Sequence, residues 1–213
     1  MQAFDIAIDV GDAQPHIDWP AVAAAGIRIV MIKCTEGATF VSPTFAAQWK
    51  GALDARLKPI PYHFLRPGSA DAQVQRFRNV AALAKNQPYA LDWEGRASQT
   101  CTPQVAEAIG TQLAVITGRL PLGYWGIHGS TPALPTAAML TWDRWVPRYP
   151  QQGAETVAML RESAMNKRPP EALWWQYTCW GRVPGIKGPV DRSAIFAESL
   201  ESALAWYGTG KLG

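Results

Sequence analysis

Apolar and polar positions change rhythm along this chain in a repeating way. Short apolar runs, each stopped by glycine, proline or an acid, alternate with longer stretches whose apolar residues recur every three or four positions. Residues 6–10 read as a first strand, broken by Gly11-Asp12. A helix follows, with Asp18 as its N-cap, Pro20 in its first turn and Gly26 beyond its end. Residues 28–33 form a second, β-branched strand, and 44–55 an amphipathic helix carrying Phe45 and Trp49. Residues 59–64 are a third strand, 70–85 a helix and 89–94 a fourth strand. Thr102-Pro103 opens a helix with Val105, Ile109, Leu113 and Ile116 at helical spacing. Strands are expected at 122–128, 141–146 and 172–178, with a short extended piece at 189–191. Residues 153–166 and 196–207 read as helices.

Strand alternating with helix, joined by short turns, predicts a largely parallel sheet wrapped by helices. Seven or eight strands in 213 residues predict a single-domain α/β fold, a small (β/α) TIM-like barrel. Its second half should be irregular, because helices thin out after residue 120. The core is expected over residues 4–207, and 208–213 as a flexible tail. Reactive groups in such barrels gather at the C-terminal ends of strands. Asp9, Glu36, His63, Asp92, Glu94 and His128 all fall at or just after predicted strand ends.

The fourth strand carries the strongest chemical signal. Alternation on a strand points Asp92 and Glu94 the same way, with backbones roughly 6.6 Å apart. Burial and mutual repulsion push such a pair's pKa values apart, leaving one group protonated near neutrality. A proton donor beside an ionised carboxylate is what glycosidic cleavage requires. The competing reading is a solvated loop, since D-x-E is common. Several acids converging on one barrel mouth favour the glycosidase.

Composition narrows the classes. A net charge of +3 without like-charge runs suits a polyanionic surface such as a cell wall and does not argue for nucleic acid. Ten Trp is a high count; at least half are expected in the core, and an aromatic sugar-binding groove would account for part of the excess. Cys34, Cys101 and Cys179 lack metal or disulfide spacing, so no metal and no cofactor is expected. The N-terminus has no basic and apolar leader pattern, and no apolar run approaches the ~20 residues of a membrane span.

Six ordered motifs resemble glycoside hydrolase family 25, the Chalaropsis-type lysozymes or N-acetylmuramidases. They are Ile8-Asp9-Val10 with Gln14 and Ile17-Asp18-Trp19; Ile32-Lys33-Cys34-Thr35-Glu36-Gly37; Tyr62-His63-Phe64 with Arg66-Pro67-Gly68; Leu91-Asp92-Trp93-Glu94; Trp175-Gln176-Tyr177; and Val190-Asp191. The correspondence runs from residue 6 to about 195. The resemblance implies a flattened, irregular barrel that cleaves the β-1,4 bond between N-acetylmuramic acid and N-acetylglucosamine in peptidoglycan glycan strands. Carried over by position, Glu94 is the proton donor and Asp92 supports the substrate's 2-acetamido nucleophile, with net retention. Direct inversion by water is the other route the residues allow. Asp9 and Asp191 complete the acidic groove, and Tyr62 lies beside the cleaved sugar. Glu36, His63, Tyr124, Trp175 and Tyr177 are further candidates for substrate contact. The chain departs from the family at Gly11 for Ser, Cys34 for Ala, Ser42 for Asp, Trp93 for Val or Ile, and Arg192-Ser193 for Leu-Asn.

Two other readings stay open: a barrel that binds cell-wall glycan without cleaving it, and a chitinase-like enzyme. The setting expected from the missing leader is that of a phage endolysin accumulating in the cytoplasm before release to the wall, or of a secreted or injected enzyme. A monomer is expected. The tail Gly208-Thr209-Gly210-Lys211-Leu212-Gly213 spells G-x-G-x-x-G but lacks the strand before it and helix after it that a dinucleotide site needs.

Overall fold

The computed structural model describes residues 2–95, 98–125, 133–170 and 172–210. Eight strands close into a barrel: β1 (Gln2–Val10), β2 (Ile29–Glu36), β4 (Lys58–Phe64), β5 (Ala90–Asp92), β6 (Leu122–Tyr124), β7 (Asp143–Pro147), β8 (Trp174–Gly181) and β9 (Val190–Ala197). The order around it is β1-β9-β8-β7-β6-β5-β4-β2, and a β1–β2 pairing closes the ring. A two-residue strand, β3 (Phe40–Val41), pairs back onto β2 and was absent from the sequence expectation.

Neighbouring strands are parallel from β1 through β2, β4, β5, β6 and β7 to β8. β9 runs antiparallel to both its neighbours. A parallel step needs a long crossover, whereas β8 reaches β9 through a short loop. Helices α1 (Trp19–Ala24), α2 (Phe45–Asp54), α3 (Ala70–Ala81) and α4 (Pro103–Thr117) cover the first half. Asp18, Ser69 and Thr102 cap α1, α3 and α4 by accepting from the N–H groups of Ala21, Ala72 and Val105.

Three expectations are corrected here. Over 153–166 there is a short 3₁₀ turn and one four-residue helix, α5 (Glu162–Met165), rather than a long helix. The terminal helix, α6 (Leu200–Thr209), starts later than residue 196, because Phe196 pairs with Ala3 in the sheet and Ser199 caps the helix. The tail is not loose from 208: Gly208 and Thr209 finish α6, and Gly210 closes it at φ +73° with its N–H on the Trp206 carbonyl. Residues 211–213 lie outside the described residues.

Strand alternation divides the core in two. Ala7, Ile29, Met31, Ile60, Ala90, Leu122, Tyr124, Trp145, Trp174 and Ile195 fill the barrel interior. Their neighbours Ile8, Val30, Ile32, Leu91 and Trp93 face out and pack under the helices against Trp19, Val22, Phe77, Ile109 and Leu113. α6 closes the barrel's N-terminal end. Trp206 packs edge-on against Trp174 at 5.0 Å, and the buried Arg119 donates to the carbonyls of Trp206 and Tyr207. Eight of the ten Trp are buried, so the high count is mainly a packing matter. Glycines make room for three of them: a Cβ at Gly51, Gly110 or Gly123 would fall 2.2, 2.4 or 1.9 Å from Trp19, Trp142 or Trp125.

Candidate active site

Register places Asp9 near the end of β1 directly across from Asp191, the second residue of β9. Parity turns Asp9 into the barrel mouth, where the Gln176 amide donates to it at 2.9 Å. Burial raises the Asp9 carboxyl well above its usual pKa, and the Asp191 charge raises it further. Burial likewise pushes Asp191 up to about 6. Two carboxyls that share a hydrogen bond in low dielectric cannot both ionise cheaply, so this pair holds a proton.

Asp92 ends β5 and faces the same interior. It is buried, its Oδ1 has no hydrogen-bond partner among the described residues, and its pKa is raised by burial and then by Glu94 and Asp9. The expectation that Asp92 and Glu94 share one strand is corrected. Regular pairing stops at Asp92, only the Trp93 N–H still reaches the Tyr124 carbonyl at 2.9 Å, and Gly95 turns the chain at φ +109°. Glu94 therefore sits on the loop just past the strand, half-buried. Burial raises its pKa and Asp191 is the largest charge acting with it, while Arg66 and Lys33 oppose. The four acids thus act on one another across a single mouth.

Their surroundings combine rings and cations. Tyr62 lines a cleft of about 270 Å³ with Asp9, Asp12, Gln14, Lys33 and Asp191. Burial, then Asp9, raises its phenol well above the usual value. Tyr124 and Trp145 form the floor with their rings 4.5 Å apart, and the Tyr124 hydroxyl donates to Gln176 Oε1 at 2.9 Å. Glu36 is placed at the rim but is committed to protein partners: its carboxylate holds Lys33 at 2.7 Å and Arg66 at 2.7 Å. Burial would raise Glu36, but those hydrogen bonds outweigh it and hold the group below its usual value. Glu36 anchors the two cations that face Glu94.

Three candidates for substrate contact have the wrong parity. His63 is fully buried under α3, between the Thr35 hydroxyl at 2.7 Å and Gln73 Oε1 at 3.1 Å, and stacks on Phe77. Burial lowers its pKa to about 4, so it is a neutral packing residue. Trp175 and Tyr177 point outward into a separate cluster with Val146, Ala154, Leu160 and Phe196. Gln176, between them, is the residue that faces the acids. His128 lies outside the described residues. The sequence reading passed over Gln176, Lys33, Arg66 and Tyr149 as site residues. Counting in twos from Asp9 and Tyr62 through the strand register would have picked out Gln176 and Lys33; Arg66 stands in a motif that the resemblance marks, and no sequence signal marks Tyr149; both sit on loops. Arg192, the departure beside Asp191, also points outward and pairs with Asp5 at 2.9 Å, leaving Asp191 free to face the mouth.

Comparison with known proteins agrees with this geometry. The model of glycosyl hydrolases family 25 matches residues 8–186. YegX of Escherichia coli K12 is 29% identical over 210 residues, covering 93% of this chain and 72% of YegX. An N,O-diacetylmuramidase of Arthroderma benhamiae is 32% identical over 156 residues, 64% of this chain and 66% of that protein. Lysozyme M1 of Streptomyces globisporus is 28% identical over 197 residues, with 87% and 66% covered. Among solved structures, a bacterial lysozyme from Streptomyces coelicolor superposes with a TM-score of 0.73 at 24% identity, covering 95% of this chain and 96% of that one. A family 25 glycosyl hydrolase from Bacillus anthracis gives 0.73 at 19% identity, covering 97% and 94%. These two establish a shared fold.

Proposed function

The chain belongs to glycosyl hydrolases family 25 and is a glycoside hydrolase, and from that premise we propose that it is a muramidase cleaving the β-1,4 bond between N-acetylmuramic acid and N-acetylglucosamine in peptidoglycan. The observation that carries this reading is the set of four acids with raised pKa values at one barrel mouth, Asp9, Asp92, Glu94 and Asp191. Glu94 is half-buried on a loop, and burial, then the Asp191 charge, raises its carboxyl above the usual range, the direction a general acid needs. It gives its proton to the glycosidic oxygen as the bond to the anomeric carbon breaks. Asp92 offers a buried Oδ1 without a protein partner, which fits the N–H of a substrate 2-acetamido group. That contact turns the acetamido oxygen toward the anomeric carbon, where it closes a cyclic intermediate. Glu94, now a carboxylate, takes a proton from the water that opens the intermediate, and configuration is retained. Asp9, fixed by Gln176, and Asp191 stabilise the positive charge that develops on the ring.

The test is Glu94→Gln on purified sacculi, followed by release of reducing ends. Proton donation is worth about 10²–10⁴ in rate, so turnover falls by at least about a hundredfold. Hydrolysis by this variant at the parental rate overturns the assignment. The anomer released first, read by NMR, separates retention from inversion.

A further inference from the structure

Of the ten Trp, Trp49 and Trp180 are the two that are part-exposed rather than buried, and Trp49 packs against Phe45 of its own helix, α2, in the outer layer. Trp180 lies near the end of β8, and Tyr149 lies just past β7. Their rings meet edge-on, with centroids 5.9 Å apart and planes at 69°. Tyr149 is 40% exposed, yet its hydroxyl donates to Gln176 Oε1 at 2.5 Å, and Gln176 passes on through its amide to Asp9. An apolar ring at the surface with its polar end bound inside is the form that saccharide stacking uses. On the opposite side of the mouth the rings are already taken. Lys33 sits 5.4 Å from the centre of Phe40 and 5.2 Å from that of Phe64, and Arg66 covers Phe64 at 4.5 Å. Among the described residues, Tyr149 and Trp180 make their ring contact with each other only.

We propose that Tyr149 and Trp180 form a saccharide-stacking subsite on the β7–β8 side of the acids, holding a pyranose ring adjacent to the one that is cleaved. This deepens the muramidase reading and rests on it. The pair binds the C–H face of the neighbouring sugar. Tyr149 also links that sugar to Asp9 through two hydrogen bonds, so binding there steadies the Gln176 amide that fixes Asp9.

The test is steady-state kinetics of the full chain on soluble glycan of two lengths, one disaccharide repeat longer than the other. Trp180→Ala should raise KM for the longer glycan about tenfold with kcat little changed, and should leave the shorter glycan unaffected. Trp180→Phe restores most of the loss, and Tyr149→Phe keeps the ring and KM. Unchanged KM on the longer glycan in Trp180→Ala, or an equal fall in kcat on both lengths, overturns the subsite. If the parent chain cleaves no peptidoglycan, the muramidase reading fails by itself. Fluorescence titration with an N-acetylglucosamine hexamer then decides the subsite: it stands if the parent binds the hexamer and Trp180→Ala weakens binding about tenfold, and falls if the parent does not bind or the variant binds equally.

Discussion

Asp5→Ala removes one half of the ion pair that fixes β9 beside Asp191. Arg192 reaches Asp5 with two nitrogens, Nε at 3.1 Å and a terminal nitrogen at 2.9 Å. Both side chains are largely buried, at 9% and 14% exposure. Asp5 also accepts the Val157 N–H at 3.1 Å, tying the loop after β7 to the sheet. The substitution leaves a buried guanidinium that still donates to the Arg182 carbonyl at 3.3 Å, and an amide without its acceptor. Breaking a buried pair from one side costs about 3–5 kcal/mol. For a chain of this length, each kcal/mol lowers Tm by about 2–4 °C, so the fall should be about 6–20 °C. Replacing both partners with apolar residues, Asp5→Leu with Arg192→Met, removes the stranded charge and should recover most of the loss. Urea unfolding of the parent, both single variants and the double variant measures the coupling as a cycle. Asp5→Ala within about 1 kcal/mol of the parent, or a double variant no better than the single ones, would refute the reasoning.

Two further outcomes follow from the site. The Asp191 carboxyl is raised to about 6, above its unfolded value, so the folded state binds the extra proton. Stability from this group is therefore present at low pH and is lost as pH rises through about 4 to 6; thermal melts across that range should show Asp191→Asn gaining on the parent toward neutrality. His63→Ala should lower stability by at least about 1 kcal/mol, since Thr35 and Gln73 lose their partner, while kcat per folded molecule stays at the parental value. A loss of kcat without a loss of stability would restore His63 to the site.

Much of the barrel could be read from the chain. The strand runs at 6–10, 28–33 and 59–64, the helices over 18–25 and 44–55, and the helix opened by Thr102-Pro103 with apolar positions through Ile116 are strongly periodic, and each carries its own start or stop residue. Pattern and capping are local properties, so local sequence suffices for them. The second half was less legible because its elements depend on partners far away. Residues 153–166 carry helix-compatible residues, but Ala154, Leu160 and Asp5 hold that segment to the outside of β8 as short turns. Phe196 reads as the start of a helix until β1 and β8 recruit it as strand.

The site divides along the same line. Sequence alone determined which acids exist, that they fall at strand ends, and that they can share a barrel mouth. It could not determine which side of the sheet a residue faces once a strand's exact limits were uncertain, because a shift of one residue reverses every side chain. Tertiary register therefore decided that Gln176 and Lys33 face the acids while His63, Trp175 and Tyr177 face the outer packing layer. It also decided the protonation pattern, since burial and the approach of Asp9, Asp92, Glu94 and Asp191 from three separate segments exist only in the closed barrel.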